Sequence, residues 1–447
     1  MQRMPAKWSC KAWTATSSVR RTARYSSASA AKNSGSGSSL RSRIDENQNE
    51  NEKALDRKVV CLSAGTAAVH LALIACGVGP GDEVLVQSYT FCASSHPITY
   101  LGAKPVFVGS EGETWNMDPE LLEVAIKDRI AKTGRKPKAI VPVALYGMPY
   151  RIDEIMEIAD RYGIPVVEDA AEGMGSRFDG KVLGTFGRYG VLSFNGNKMI
   201  TTSGGGALIC RSAEDANEIM WYATQARDAY PYYQHTAIGY NYRMSNVCAG
   251  IGRGQMTVLD AHIAHHRHVQ RMYEELLADV PGVHIHKQPN LNDNDNENEK
   301  RYDSNFWLCA ATLDPEVRIQ GQENAYKEVV KTAVGGAAGV IHQVDKATTD
   351  CQPNENVEAL RVFMLGKKIE ARPTWKPMHC QPVYRRGEVS KVSSGRDIIC
   401  QTSDNSVAYT RGIEEELFKV GFCLPAGPYV TDEDVRYIVE CIKEAII

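Results

Sequence analysis

From residue 58 onward the chain alternates short apolar runs with amphipathic stretches of helix length, and this alternation is the feature that most constrains its fold. A strand that must be followed by a helix before the next strand can pair in parallel produces this pattern, so the expected class is α/β with a mainly parallel sheet. The expected strands are KVVCLS (58–63), EVLVQS (83–88), KPVFV (104–108), KAIVPVAL (138–145) and IPVVED (164–169), with helices starting near Thr66, Phe91, Asp118 and Ile152. The punctuation agrees. Gly and Pro in VGPGDEV (78–84) stop a helix before a strand, and Asp118 caps a helix whose first position is Pro119. The block GVLSFNGNKMITTSGGGALIC (190–210) reads as two strands around an irregular Gly-rich connection.

A helical stretch at about 255–278 marks a second, smaller domain beginning near residue 256. Its expected elements are FWLCAATL (306–313), a helix near 355–366, IEARPTW (369–375) and a terminal helix after Thr431. The tract NLNDNDNENEK (290–300) is too polar to bury, and residues 316–354 lack periodicity and read as an insertion. The organisation is therefore an atypical leader at 1–57, a large domain at 58–255 and a small α+β domain at 256–447.

Composition narrows the function classes. A net charge of −3 and a pI near 6.4, with no basic run interleaved with aromatics after the leader, give no footprint for nucleic acid or an anionic membrane surface. No apolar run approaches the roughly 20 residues that cross a bilayer. The 12 cysteines are scattered without a CxxC pair, so reduced thiols in a cytoplasmic protein are expected. Residues 1–44 lack Asp and Glu and repeat Arg, Ser and Ala; that composition suits a transit peptide as well as a disordered leader. His262 and His266 in HIAHHRH share a helix face at metal-ligand spacing, but nothing nearby in sequence completes a site, and an exposed polar face is the plainer account. No GxGxxG opens a helix after a strand, which argues against a nicotinamide dehydrogenase.

Three motifs carry chemistry. In SAGTAA (63–68) a strand-to-helix turn leaves the amides of Gly65 and Thr66 free to face an anion, or serves simple packing. In VVEDAA (166–171) a buried strand ends on carboxylates, where α/β proteins bind ligands; Asp169 is the sharper candidate and could equally cap the next segment. In SFNGNK (193–198) Ser193 and Asn197 can contact a phosphate, and Lys198 can act as a nucleophilic amine or be a solvated loop lysine.

In this order, and together with GYNYRMS (239–245), these motifs resemble the DegT/DnrJ/EryC1/StrS family of sugar aminotransferases, fold-type-I enzymes dependent on pyridoxal 5'-phosphate (PLP). The resemblance covers about 58–315 and 355–445, and extends to IEARPTWKPMH and FCLPAGP; residues 1–57 do not resemble the family's opening segment. The wording of SFNGNKMITTSGGG is most similar to transaminases that make UDP-N-acetylbacillosamine. The resemblance implies that Lys198 is the Schiff-base and proton-shuttling lysine, that Asp169 pairs with the pyridine nitrogen and that Glu172 lies beside the ring. It further implies that Phe91 stacks on the ring, that Gly65, Thr66 and Ser193 hold the phosphate, and that Asn241 reaches it across a homodimer interface. Arg372 and His379 would lie on the sugar-nucleotide side. The implied reaction moves an amino group from L-glutamate to the C4 ketone of a UDP- or TDP-linked keto sugar, for surface glycan synthesis. Related dehydratases replace the lysine by His, so Lys198 points to transamination; a homologue that binds PLP without turnover is the remaining alternative.

Overall fold

The computed structural model describes residues 57–289, 301–327, 351–384, 388–391 and 397–447, together with the two-residue strand Ala23–Arg24. Most of the leader, the polar tract at 290–300 and the middle of the stretch read as an insertion lie outside the described residues.

Strands β1 (Lys58–Leu62), β2 (Glu83–Gln87), β3 (Lys104–Val108), β4 (Ala139–Val141), β5 (Val167–Asp169), β6 (Tyr189–Ser193) and β7 (Gly206–Cys210) build the main sheet in the order β1-β7-β6-β5-β4-β2-β3. The junction between β5 and β4 is made by the parallel bridges Ile140 to Val166 and Val143 to Asp169. Only β7 runs antiparallel within this set, pairing with β1 on one side and β6 on the other. The connecting helices are α1 (Gly65–Ala75), α2 (His96–Tyr100), α3 (Pro119–Thr133), α4 (Ile152–Tyr162) and, after β7, α5 (Ala213–Ala223). Strand residues contribute alternately to two cores: Val84, Val86 and Phe107 pack on one face of the sheet and Leu85, Val106 and Val108 on the other. Burial on both faces explains why these strands are almost wholly apolar.

Local chemistry sets the helix ends. The Asp118 carboxylate accepts from the amides of Glu120 and Leu121, and Gly134 closes α3 in the left-handed conformation (φ 68°). Arg129 of α3 then donates twice to Glu83 at the start of β2, at 2.9 and 2.7 Å, which fixes the helix along the sheet.

Beyond α6 (Asn246–Gln255) and α7 (Leu259–Leu276), an antiparallel sheet forms from β8 (Val283–Ile285), β9 (Cys309–Leu313), β10 (Arg372–Pro373) and the later strand Gly421–Leu424. It shares a separate core with α7, α8 (Glu355–Gly366) and the terminal helix Asp432–Ala445, including Tyr273, Leu360, Phe422 and Ile438. The sequence does not announce what comes between. Strands β11 (Glu388–Lys391), β12 (Ile399–Thr402) and β13 (Val407–Thr410) form an antiparallel set that joins the main sheet, β13 pairing in parallel with β3. Helix α9 (Ile413–Val420) then leads to β14 (Gly421–Leu424), and α10 (Asp432–Ala445) starts on a capping box between Thr431 and Asp434.

The C-terminal ends of the parallel strands share one edge of the sheet, where ligands bind in open α/β folds. There β7 begins at Gly206, pressed against the turn into α1. A Cβ at Gly206 would lie 2.5 Å from the Ala64 carbonyl carbon and the Gly65 amide nitrogen, so neither backbone could stay in place. Gly206→Ala is expected to lower the unfolding free energy by about 1–3 kcal/mol, the usual cost of overpacking. A urea midpoint equal to that of the natural chain would show that this turn is not held by the contact.

Candidate active site

A cleft of about 280 Å³ opens on that edge, lined by the 63–66 turn, Thr90, Phe91 and Ser94 after β2, Asp169 and Glu172 after β5, Ser193, Asn195, Asn197 and Lys198 after β6, and Trp307 and Trp375. Four parallel strands thus each deliver a short segment to one space.

Asp169, the last residue of β5, is 3% exposed. Its carboxylate accepts from the Ser94 hydroxyl at 2.7 Å and the Ala171 amide at 3.1 Å. Burial pushes its pKa above the usual carboxylate range, although Ser94, the Ala171 amide and Lys198 pull the other way. A carboxylate so placed favours a cationic partner inside the cleft.

Lys198 reaches back from the loop after β6, its Nζ 3.1 Å from Glu172 Oε1 and 3.9 Å from the centre of the Trp307 ring. The indole face attracts the ammonium as well as packing against it. Glu172 is buried, which raises its pKa, while the Lys198 ammonium and the Tyr146 amide lower it. Tyr146 points that amide at Glu172 Oε2 (2.7 Å) by taking a left-handed backbone conformation (φ 56°), one that L residues adopt reluctantly. The turn is held from behind by Asn305, whose amide donates to the carbonyls of Glu172 (2.8 Å) and Met174 (2.9 Å), while the hydroxyls of Ser176 and Ser304 donate to the Gly147 carbonyl. Gly147 (φ 90°) admits no side chain, because a Cβ would fall 1.8 Å from Asn305 Oδ1. Trp307 is fixed in turn by its Nε1 donating to the Asn197 carbonyl at 2.7 Å.

On the opposite wall, α1 starts without a side-chain cap or an acidic residue in its first turn. Gly65 and Thr66 at that start line the cleft, and leading amides left without intrahelical partners are suited to an anion. The surface behind them is close: a Cβ at Gly65 would sit 3.1 Å from Ser193 Cβ.

The structure brings together Gly65, Thr66, Phe91, Asp169, Glu172, Ser193, Asn197 and Lys198 around this one cleft. Phe91 projects from the rim, 52% exposed, with its ring centre 5.8 Å from that of Trp375. Asn241, bridged to Thr224, is exposed and does not line the cleft within this chain. Arg372 is also outside it, paired with Glu370 at 2.8 Å on the surface. His379 is buried away from the lining, with Nδ1 2.6 Å from Ser88 Oγ and Nε2 3.1 Å from Glu415 Oε1. Burial opposes its charge, but Glu415 and Glu414 outweigh that and raise its pKa. The four histidines of HIAHHRH are separately engaged, His262, His265 and His266 with backbone carbonyls and His268 with Asp432. Sequence reasoning passed over Ser94, Tyr146, Asn305, Trp307 and Trp375; the only local signal among them is Trp307 beside a polar SN pair at the start of a strand.

Residues 48–334 match the family model described as the DegT/DnrJ/EryC1/StrS aminotransferase family. A putative pyridoxal phosphate-dependent aminotransferase of Bacillus subtilis, EpsN, is 36% identical over 386 residues, covering 86% of this chain and 83% of that protein. The chain belongs to the DegT/DnrJ/EryC1/StrS family. GDP-perosamine synthase of Escherichia coli O157:H7 is another relative, 32% identical over 86% of this chain and 84% of its own length. Among solved structures, a DegT/DnrJ/EryC1/StrS aminotransferase from Brucella abortus superposes with a TM-score of 0.68 at 24% identity, covering 90% of this chain and 89% of that one. A putative sugar aminotransferase from Streptococcus pneumoniae in its PLP form gives 0.66 at 22% identity, with 87% and 86% covered. The fold is that of the PLP-dependent aminotransferases, as the sequence motifs implied.

The cleft of this DegT/DnrJ/EryC1/StrS aminotransferase suits PLP on its own chemistry. The uncapped α1 start can hold a phosphate, Asp169 can hold a protonated ring nitrogen, and Lys198 Nζ can reach the reactive carbon. Without the cofactor, Asp169 is an acid whose folded-state pKa is raised above its unfolded value. It therefore supports the fold while protonated and opposes it as pH rises through the raised value. Asp169→Asn is expected to raise the melting temperature of the cofactor-free protein by a few degrees at neutral pH, and to weaken PLP retention. A lower melting temperature at neutral pH would mean that the ionised carboxylate stabilises the empty cleft.

Proposed function

We propose that this chain transfers the amino group of L-glutamate to the C4 ketone of a nucleotide-linked 4-keto-6-deoxy sugar, supplying an amino sugar for a surface polysaccharide or glycan. The observation that carries the reading is Lys198 Nζ held between Glu172 and Trp307 in a cleft that also contains Asp169 and the open start of α1. The relatives support the substrate class: GDP-perosamine synthases, and a UDP-2-acetamido-2-deoxy-3-oxo-D-glucuronate aminotransferase of Pseudomonas aeruginosa, 37% identical over 223 residues. The carrier by this reading is UDP or TDP; GDP is the carrier named in the perosamine synthases.

PLP, when bound, supplies an electrophilic carbon that accepts an amino group and a ring that spreads the charge left when a proton is withdrawn. The protein's part is to position and to move protons. Asp169 would hold the cofactor's ring nitrogen in its protonated, electron-withdrawing form. Glu172 and the face of Trp307 aim Nζ of Lys198, which takes the proton from the carbon of the amino donor and returns it at the acceptor side. Phe91 stacks on the cofactor ring, and Trp375, its ring centre 5.8 Å from that of Phe91, lines the cleft beside it. Glu172, Gly65, Thr66, Ser193 and Asn197 act at the cofactor, and Asn241 completes the phosphate site of the partner in a cytoplasmic homodimer.

The test is a half-reaction. Glutamate added to the PLP-loaded protein should change its visible absorption and release 2-oxoglutarate, and Lys198→Ala should slow this by about 10²–10⁴-fold or more, the range set by a positioned proton-transfer group. Acceptor choice is read by offering UDP-, TDP- and GDP-linked 4-keto sugars to the aminated form. Bound PLP with no 2-oxoglutarate formed would support the reading of a homologue without turnover instead. For the shared site, Asn241→Ala and Lys198→Ala chains expressed together should recover part of the activity that each lacks alone; mixed dimers as inactive as the parents would contradict a residue acting in trans.

A further inference from the structure

A second constellation lies behind the cleft wall, and the transfer reaction makes no use of its thiols. Cys351 Sγ, Cys380 Sγ and a carboxylate oxygen of Glu415 all lie within 4.8 Å of one another. His379 Nε2 adjoins two of them, 3.1 Å from Glu415 Oε1 and 3.4 Å from Cys380 Sγ. Cys351, His379 and Cys380 are buried, and Glu415 closes the group on its solvent side. The donors are 28 residues or more apart between Cys351 and His379 and again between Cys380 and Glu415, so linear spacing hid the set.

We infer that Cys351, His379, Cys380 and Glu415 form a binding site for a thiophilic divalent cation of the zinc class. Tetrahedral Zn²⁺ with two sulfurs, one imidazole nitrogen and one carboxylate oxygen needs donor-to-donor edges of roughly 3.3–3.8 Å, as follows from bond lengths of about 2.0–2.3 Å. The two edges at His379, 3.1 and 3.4 Å, are already near this range, and closing on the ion draws in Cys351, Cys380 and Glu415, whose donor atoms lie within 4.8 Å of one another. The mixed S₂NO set favours zinc or cobalt over magnesium or calcium, which take oxygen shells. An outer shell is present as well. His379 Nδ1 lies 2.6 Å from Ser88 Oγ and 3.8 Å from Glu414 Oε1, a buried oxygen without a hydrogen-bond partner among the described residues, and these orient the ring with Nε2 toward the ion. Binding replaces protons: two thiols and the imidazole Nε2 lose theirs to solvent as the ion enters.

The site would join three stretches distant in sequence: the approach to α8, the turn Met378–Cys380 and helix α9. The turn also touches the cleft wall, because the Met378 amide donates to the Ser88 carbonyl at 2.8 Å, two residues before the cleft-lining Thr90. An ion here would stiffen that wall without contacting the reacting groups.

Co²⁺ titration of the PLP-loaded full-length protein, stripped of metal with a chelator and kept reduced, tests this. The expected result is one equivalent bound per chain, with tetrahedral d–d bands and a thiolate-to-cobalt charge-transfer absorption that Zn²⁺ displaces. Cys351→Ser and Cys380→Ser should each remove the charge-transfer band or halve it, and Ser88→Ala should weaken affinity by about 10–100-fold while leaving the spectrum unchanged in shape. If the cysteine variants do not fold, the spectrum and stoichiometry of the natural chain decide alone. No charge-transfer band would overturn the proposal, as would a band that survives both cysteine changes. A Cys351–Cys380 crosslink found by peptide mapping of the untreated protein, with no metal bound after reduction, would assign the pair to a disulfide instead.

Discussion

The burial of opposite charges in one small space governs this molecule. Lys198, Glu172 and Asp169 are held at the end of a sheet whose two faces are both covered, where an isolated ion would be strongly disfavoured. Each carboxylate is therefore met by fixed donors: the Ser94 hydroxyl and Ala171 amide for Asp169, the Tyr146 amide and the lysine itself for Glu172. Several otherwise odd features follow from this. A tyrosine sits in left-handed backbone, a glycine has an asparagine side chain pressed against it, and an indole covers an ammonium. These are the means by which a fold keeps an amine aimed while it is not bonded to anything.

Much of the large sheet could be read in the sequence because its elements are locally determined. Asp118-Pro119 and Gly134 mark helix ends through capping chemistry that needs no tertiary partner, and strands buried on both faces are written as unbroken apolar runs. The three motifs around Lys198 were legible for the same reason, each lying at a strand end where chain direction alone says what it faces. The unread parts depend on distance. Ser94 and Asn305 are ordinary polar residues until the fold sets them against Asp169 and Glu172, and β11 to β13 lack the long apolar pattern because they extend an edge. Helix α9 was missed too: it is short, and three consecutive glutamates, one fully buried, obscure its apolar face.

Family membership and site geometry support each other without being the same argument. The likeness to solved structures, at 22–24% identity, establishes how the strands are ordered. It does not say that Lys198, Glu172 and Trp307 are in contact; the distances in this chain do. What differs most from a bare PLP site is the buried His379 cluster, where His379, from a segment that resembles the substrate side of the cleft, turns away from it and toward Cys380 and Glu415.

The parallel pairing of β13 with β3 has a consequence for how the chain is made. Strand β3 (Lys104–Val108) emerges from the ribosome well before its partner β13 (Val407–Thr410), which lies far downstream in the chain. Until β13 has been made, β3 presents an unpaired apolar edge, the kind of surface on which nascent chains adhere to one another. The seven-stranded portion can assemble first, but its outer flank is sealed only once β13 is available to pair with β3. Expression yield should accordingly be limited by this late closure more than by the stability of the finished protein.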